Sequence, residues 1–397
     1  MTTDARERET AAPAYGVWAD LVGQPGAVET LRRAARGDHH AMSHAWLIVG
    51  PPGSGRSNAA RAFAAALQCE RPGDVEAGCG QCNGCRTSLS GAHPDVTLVR
   101  TEQLSIGVEE VRDLVRRAAM SPTMRHRQVI VVEDADRVTE RGADALLKSV
   151  EEPAKATVWI LCAPTSDDVV ITIRSRCRLL SLATPTPAAV AHLLVTRDGV
   201  DPALASEAAR AAQGHVGRAR VLARDESARA RRREILLIPF GLTSLSACLG
   251  AAARLVEMCS AEATAATELV DAREKAALEE ALGFGTRGAR PRQAAAAVKE
   301  LEEQQRARAK RFQRDAIDRA LTELTGLYRD LLSLQTHSQA ALVNDELGSR
   351  LATLARRSTP ESTLRRIDAL LGCRTALEGN VAPLLALEST MIALVEA

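Results

Sequence analysis

The sequence predicts an α/β domain built on a parallel sheet with helices on both faces, followed by a region that is helical throughout. Three observations predict it. Short apolar runs such as HAWLIVG, His44 to Gly50, alternate with helical patterns up to about Pro185. Strands covered on both faces read as continuous apolar runs, and parallel neighbours need helical crossovers. A Gly-rich loop follows the first run and opens a helix, and beyond Pro185 no further strand pattern occurs.

At 397 residues the chain is too long for one ordinary core, so two or three domains are expected. Hydrophobic residues make up 46% and charged residues 25%, the balance of a soluble globular protein. Aromatic residues are only 2%, so the cores must be built from Leu, Val, Ile and Ala. The net charge of +1 excludes a polyelectrolyte, and any nucleic-acid contact must come from a local patch or a composite surface.

Residues 1–14 are polar and mixed in charge, and read as a disordered N-terminus without the apolar run of a secretory signal. Ile235 to Ala253 carries no charge and is just long enough to span a membrane. It contains Pro239, Gly241, Ser244 and Gly250, however, and Leu242, Leu245, Leu249 and Val256 fall on one helical stripe, so it is read as a buried helix. A cytoplasmic protein without structural disulfides is expected.

The elements follow in order. Leu31 and its neighbours read as a helix, and His44 to Gly50 as a buried strand. GPPGSGRS then leads into an alanine-rich helix, Asn58 to Gln68. Val96 to Arg100 is a strand, Val108 to Ala119 a helix with Val108, Val111 and Val115 on one face, and Val129 to Val132 a strand. Ala143 to Glu151 is a helix stopped by Pro153, Val158 to Cys162 is a strand, and Leu179 and Leu180 lie in one more. Pro187 to Arg231 reads as small helices. After a Gly-rich break at Gly283, Gly285 and Gly288, a long helix runs from Arg292 to Gln335, with Ile317, Leu321, Leu324, Tyr328 and Leu331 on one seam. Its polar stretch Glu302 to Arg314 reads as a solvated face, with an inter-subunit face as the alternative.

Strand, Gly-rich loop and helix form the context of a phosphate loop. Such a loop uses glycines so that backbone N–H groups cradle phosphates, Lys to reach the β- and γ-phosphates, and Ser or Thr for Mg²⁺. Gly50, Gly53, Gly55 and Ser57 are in place, but Arg56 stands where Lys is needed. A planar guanidinium does not replace a compact ammonium. The strand Val129 to Val132 ends in Glu133-Asp134, whereas an active enzyme of this class has Asp followed by Glu. Glu133 sets its carboxylate one methylene too far out and Asp134 one too short, and positioning is most of phosphoryl transfer. The intact glycines and Ser57 still admit ATP or ADP with Mg²⁺. Solvated strand-end acids are the alternative reading of the pair.

Cys69, Cys79, Cys82 and Cys85 are spaced C-x9-C-x2-C-x2-C, with Gly80 and Gly84 where tight turns are needed. Four thiolates so placed close a tetrahedron around structural Zn²⁺ and leave no open position for catalysis. Cys162, Cys177, Cys248, Cys259 and Cys373 are scattered and read as small buried residues. Thr165 follows a strand and could sense a γ-phosphate. Arg176 lies in Arg174-Ser175-Arg176-Cys177, and a distal arginine could reach a neighbour's nucleotide, although arginines near strand ends are usually solvated. Arg112, Arg116, Arg117, Arg125 and Arg127 are also read as solvated.

The order WADLVGQ, HAWLIVGPPGSGRS, four cysteines, VVEDADR, ALLKSVEEP and SRC resembles the AAA+ clamp-loader subunits of bacterial DNA polymerase III, over roughly residues 16–235. The C-terminal part matches only in length and helicity. The resemblance implies a RecA-like P-loop domain over 16–182 with its zinc module at 69–85, a helical lid over 183–238 and an all-α collar over 239–397. Members with both the zinc knuckle and SRC are the gamma/tau and delta-prime types. Gamma/tau keep the loop Lys and a normal Asp-Glu pair, so this chain is similar to the delta-prime type, which usually does not hydrolyse ATP. Arg176 is then an arginine finger acting in trans, with Ser175 beside it and Thr165 as a sensor. In GHVGR, Gly214 to Arg218, the second sensor's arginine position holds Gly217, with Arg218 one place late. The implied partners are gamma/tau and delta in a hetero-pentamer, the sliding clamp, and primed DNA through the assembly. The alternatives are an active ATPase of the same assembly, or an unrelated zinc-containing repair or helicase protein, which would need motor motifs not seen here.

Overall fold

The computed structural model describes residues 15–38, 40–71, 77–101, 105–124, 127–281 and 292–396. The expected disordered N-terminus, Arg125 and the Gly-rich break at Gly283 to Gly288 lie outside them. The chain divides into two compact units, 1–223 and 224–397.

The first unit contains five strands: β1 (Ala45–Val49), β2 (Val96–Val99), β3 (Gln128–Val132), β4 (Thr157–Ala163) and β5 (Arg178–Ser181). All pairings are parallel, in the order β2-β3-β4-β1-β5. Every residue of the three central strands is buried, as their unbroken apolar character requires. The edge strands tolerate Thr97 and Arg178 because each lacks a neighbour on one side. Side chains alternate across the sheet. Trp46, Ile48, Val131 and Ile160 join Phe63 and Leu31 on one face, while Leu47, Val49, Trp159 and Leu161 meet Val111, Leu114 and Leu146 on the other. Trp46 and Phe63 meet edge to face, 5.1 Å between centroids.

The helices α1 (Pro25–Ala35), α2 (Arg56–Leu67), α3 (Asn83–Ser90), α4 (Val108–Ala118), α5 (Glu140–Glu151) and the short α6 (Ile171–Arg174) surround the sheet. α2 begins two residues before the expected Asn58 because Gly55, in the left-handed region, caps it. Three small helices follow, α7 (Pro187–Thr196), α8 (Pro202–Ala211) and α9 (Val216–Arg224). The first two start with Pro at N1 behind Thr186 and Asp201, whose side chains accept N–H groups of the first turn.

The second unit contains α10 (Glu226–Gly241), α11 (Leu245–Ala281), α12 (Arg292–Gln335), α13 (Gly348–Ala355), α14 (Pro360–Glu378) and α15 (Pro383–Glu396). The unit boundary precedes residue 238 because α10 sends Leu236 into this core. Ile317, Leu321, Leu324, Tyr328 and Leu331 of α12 form its centre, on the expected seam. A polar cluster is buried with them. Arg232 reaches Glu323 at 3.0 Å, Glu346 at 2.7 Å and the Asn344 Oδ1 at 2.5 Å.

Two expectations are corrected here. The uncharged run Ile235 to Ala253 is not one buried helix: the chain breaks between Gly241 and Leu245. The stripe of Leu245 and Leu249 is exposed, and Cys248, Ala252, Leu255 and Cys259 face the core instead. The inner face of α11 is thus set by Leu255 together with small residues, not by Leu245 and Leu249. No helix among the described residues is long and apolar enough to cross a membrane. The polar stretch Glu302 to Arg314 is likewise not simply solvated. Arg308 is buried and bonds Asp271 at 2.7 Å and Glu274 at 2.8 Å on α11, while Gln313 donates to Ser260 at 2.6 Å. It is a polar seam inside a helical hairpin.

Candidate functional site

The phosphate loop leaves the carboxyl end of β1. The Gly50 N–H donates to the Pro164 carbonyl after β4 at 3.1 Å, which ties the loop to the neighbouring strand end. Gln24, from WADLVGQ, is buried behind the loop and donates to the carbonyls of Ser54 at 3.3 Å and Ala183 at 2.5 Å. Gly50, Gly53, Gly55, Arg56 and Ser57 are thereby brought together with Glu133, Asp134 and Thr165, because β3, β4 and β1 all end on this edge.

Three groups of the chain itself occupy this edge. The Arg56 Nη1 donates to the Gly50 carbonyl at 2.6 Å, closing the guanidinium over the loop's own first residue. Burial lowers the pKa of this guanidinium, against the pull of the Asp136, Asp134 and Asp168 carboxylates. The Glu133 carboxylate turns to Arg61 on α2, 2.6 Å from its Nε. His215, at the start of α9, lies against Gly53: a Cβ on Gly53, whose φ is +83°, would stand 2.4 Å from the His215 Cα. Only glycine fits there. The Arg218 N–H donates to the His215 Nδ1 at 3.2 Å, which holds the ring in place. His215 and Arg61 were not singled out by the sequence reading. Only the search for a sensor arginine in GHVGR came near the first.

Thr165 is exposed, and both its N–H and its hydroxyl donate to Asp168, at 2.7 and 2.8 Å. Ser175 and Arg176 lie elsewhere. β5 pairs with β1 through Trp46 and Arg178, so Arg176 precedes the amino end of β5 while Gly50 follows the carboxyl end of β1. Four residue steps, about 13 Å of strand, separate the level of Arg178 from Gly50. Arg176 therefore lies at the amino ends of the strands, opposite the carboxyl ends where its own phosphate loop sits. Its Nη2 is paired with Glu151, and its Nη1 donates to the Thr172 carbonyl at 2.7 Å and the Ser175 Oγ at 3.2 Å.

The four clustered cysteines form a compact site between α2 and α3. All four Sγ atoms lie within 4.8 Å of one another, and those of Cys69 and Cys82 are 4.0 Å apart. Sulfurs around a tetrahedral zinc with Zn–S of ~2.3 Å stand about 3.8 Å apart, so the set fits such an ion. The N–H groups of Cys82 and Cys85 point at the sulfurs of Cys79 and Cys82, both at 3.4 Å. Burial works against ionising Cys79, but the N–H groups of Gln81 and Cys82 bring its pKa down to about 7. Gly84 admits the Gln68 carbonyl, which would be 2.0 Å from a Cβ there. Four ligands leave no open position, so the role this site supports is structural.

Of the arginines read as solvated, Arg112 and Arg116 are exposed and paired with Glu109 and Asp113 on α4.

Residues 23–186 match the family described as "DNA polymerase III, delta subunit". The delta-prime subunit of DNA polymerase III from Pseudomonas aeruginosa is 38% identical over 153 residues, 38% of this chain and 46% of that protein. The tau subunit from Bacillus subtilis is 31% identical over 159 residues, 40% of this chain and 28% of that protein. A solved DNA polymerase III gamma-subunit-related protein from Thermotoga maritima superposes with a TM-score of 0.40 at 16% identity, over 93% of this chain and 99% of that one. The chain spans about half the length of the first two delta-prime relatives it matches. The matched family segment covers the phosphate loop, the cysteine cluster and the Ser175-Arg176-Cys177 triplet, and the second unit lies outside it.

Proposed function

We propose that this chain works as a delta-prime-type subunit of a clamp loader, which uses ATP to place a sliding clamp on primed DNA during replication. Its part is to arrange partners and to supply Arg176 to the ATP site of an adjacent gamma/tau subunit, while its own loop does not hydrolyse ATP. The observation that carries the reading is that Arg176 lies at the end of the strands opposite its own loop. An arginine there cannot serve the nucleotide of its own domain, and an arginine supplied from outside a site can stabilise transition-state charge. The self-engagement of the loop supports the second half. Arg56 is bonded to Gly50, Glu133 to Arg61, and His215 stands against Gly53. The domain architecture proposed with it is a RecA-like core, a lid beginning near α7, and a collar that joins delta and gamma/tau in a pentamer. The cysteine cluster would hold zinc as a structural ion.

A reading as an active gamma/tau-like ATPase is favoured by one observation, the intact Gly50, Gly53, Gly55 and Ser57 at the head of α2. Titrating the isolated chain with ATP and Mg²⁺ separates the two. Saturable binding with turnover would establish the second. For the first, the loader is reconstituted and its primer- and clamp-stimulated ATPase compared with that of Arg176→Ala. A fall of tenfold or more with assembly intact, about 1.4 kcal/mol of transition-state stabilisation, is expected. An unchanged rate would refute the trans role.

A further inference from the structure

Arg176 is not extended. Its guanidinium is folded back against its own domain by contacts at both terminal nitrogens. Nη2 pairs with the Glu151 carboxylate at the end of α5, and Nη1 donates to the Thr172 carbonyl and the Ser175 hydroxyl. The neighbouring Arg174 has a separate partner, Asp167, so of these two arginines it is Arg176 that pairs with α5. Both side chains of the pair remain partly exposed, at 40% for Arg176 and 36% for Glu151, so the pair can open without unpacking a core.

We infer that Glu151 is a latch on Arg176: it holds the guanidinium retracted in cis, and the arginine must exchange this carboxylate for the phosphate oxygens of a neighbour's nucleotide. The inference rests on the trans role proposed above and names Glu151 as a positioning residue for it. The chemistry of the exchange is favourable in kind. A guanidinium binds carboxylate and phosphate through the same planar fork, and the phosphate carries more charge. The latch is also weak enough to release, since partly exposed ion pairs contribute little. Its effect should therefore be greatest before clamp and primer have drawn the subunits together, and least when the stimulated assembly already pulls the arginine across.

The test uses the reconstituted loader with wild-type chain, Glu151→Gln, Glu152→Gln, Arg176→Ala and the Glu151→Gln/Arg176→Ala double variant. ATPase is measured with and without clamp and primed DNA. Glu151→Gln should raise the unstimulated rate by up to about fivefold, the ceiling for an exposed pair, and change the stimulated rate much less. The double variant should behave as Arg176→Ala alone, because the latch acts only through the arginine. Glu152→Gln, which removes the same charge one residue away, should leave the unstimulated rate unchanged. If Arg176→Ala lowers the stimulated rate while Glu151→Gln is silent or slower, the latch is wrong and the trans role stands. An equal rise in Glu152→Gln would make the effect one of net charge and overturn the latch. If Arg176→Ala changes nothing, the trans role fails and the latch with it.

Discussion

Arg61 and Glu133 join the helix after the phosphate loop to the end of β3 by an ion pair of 2.6 Å, with the Glu133 side chain only 6% exposed. The carboxylate that follows this strand is thereby committed to the protein's own scaffold. Removing the arginine would leave a buried charge without its partner. Arg61→Met should destabilise the first unit by about 2–3 kcal/mol, at or below the low end for broken buried pairs because Arg61 is itself one third exposed. Replacing both, as Arg61→Met with Glu133→Leu, should recover most of the loss. Urea unfolding of the four members of this double-mutant cycle measures it, and additive losses would show that the pair is not coupled.

The cysteine cluster predicts one bound metal ion per chain. Cys82→Ser should weaken zinc by more than the ~10–100-fold typical of losing an outer-shell partner, since it removes a ligand. Gly84→Ala should loosen the site without touching a ligand, because its Cβ would collide with the Gln68 carbonyl. Metal content after dialysis against a chelator, followed by thermal unfolding, distinguishes both variants from wild type. Retention of zinc by Gly84→Ala would mean that α3 can shift at little cost.

Asp95 predicts a pH dependence. Burial alone would raise its carboxyl pKa, but the N–H groups of Thr123 and Met124, 2.7 and 2.8 Å away, outweigh it and hold the carboxyl below its ordinary value. A depressed folded pKa means that the folded state favours the ionised form. The resulting stability is present above the unfolded value of ~3.9 and is lost as pH falls through the folded pKa. Asp95→Asn should cost about 1–3 kcal/mol at pH 7. The gap between wild type and variant should narrow as the pH is lowered below ~4. Chemical denaturation across that range checks the sign: a gap that widens in acid would contradict it.

Arg308 predicts local behaviour in the second unit. It joins α12 to Asp271 and Glu274 of α11 in a seam with few apolar residues. Arg308→Ala should therefore open the hairpin locally. Faster amide exchange is expected over 263–278 and 301–313, with little change over the apolar seam Ile317 to Leu331. Uniform exchange across α12 would mean that the hairpin and the core open as one.

Much of this is legible in the sequence. The central strands announced themselves because burial on both faces demands unbroken apolar runs. The long helix α12 was legible because Ile317, Leu321, Leu324, Tyr328 and Leu331 keep a helical period, and the same residues form the core. The four cysteines were legible because metal ligation needs few residues at short range. Leu245 and Leu249 are exposed although they share a stripe with Leu242, because the core side of α11 lies one position away, at Cys248, Ala252, Leu255 and Cys259.

The sequence by itself determined the α/β class, the phosphate loop with Arg56 in place of Lys, the cysteine set and the succession of the five strands. Each depends on local spacing, or on a periodicity that a single helix or strand imposes. The tertiary structure alone decided that Arg56 closes on Gly50, that His215 stands against Gly53, that Glu133 pairs with Arg61, and that Arg176 is held by Glu151 at the far end of the strands. These relations join residues whose proximity follows from strand order and from the rotation of each helix about its axis. Both are set by how whole faces bury against one another, and no local pattern encodes them.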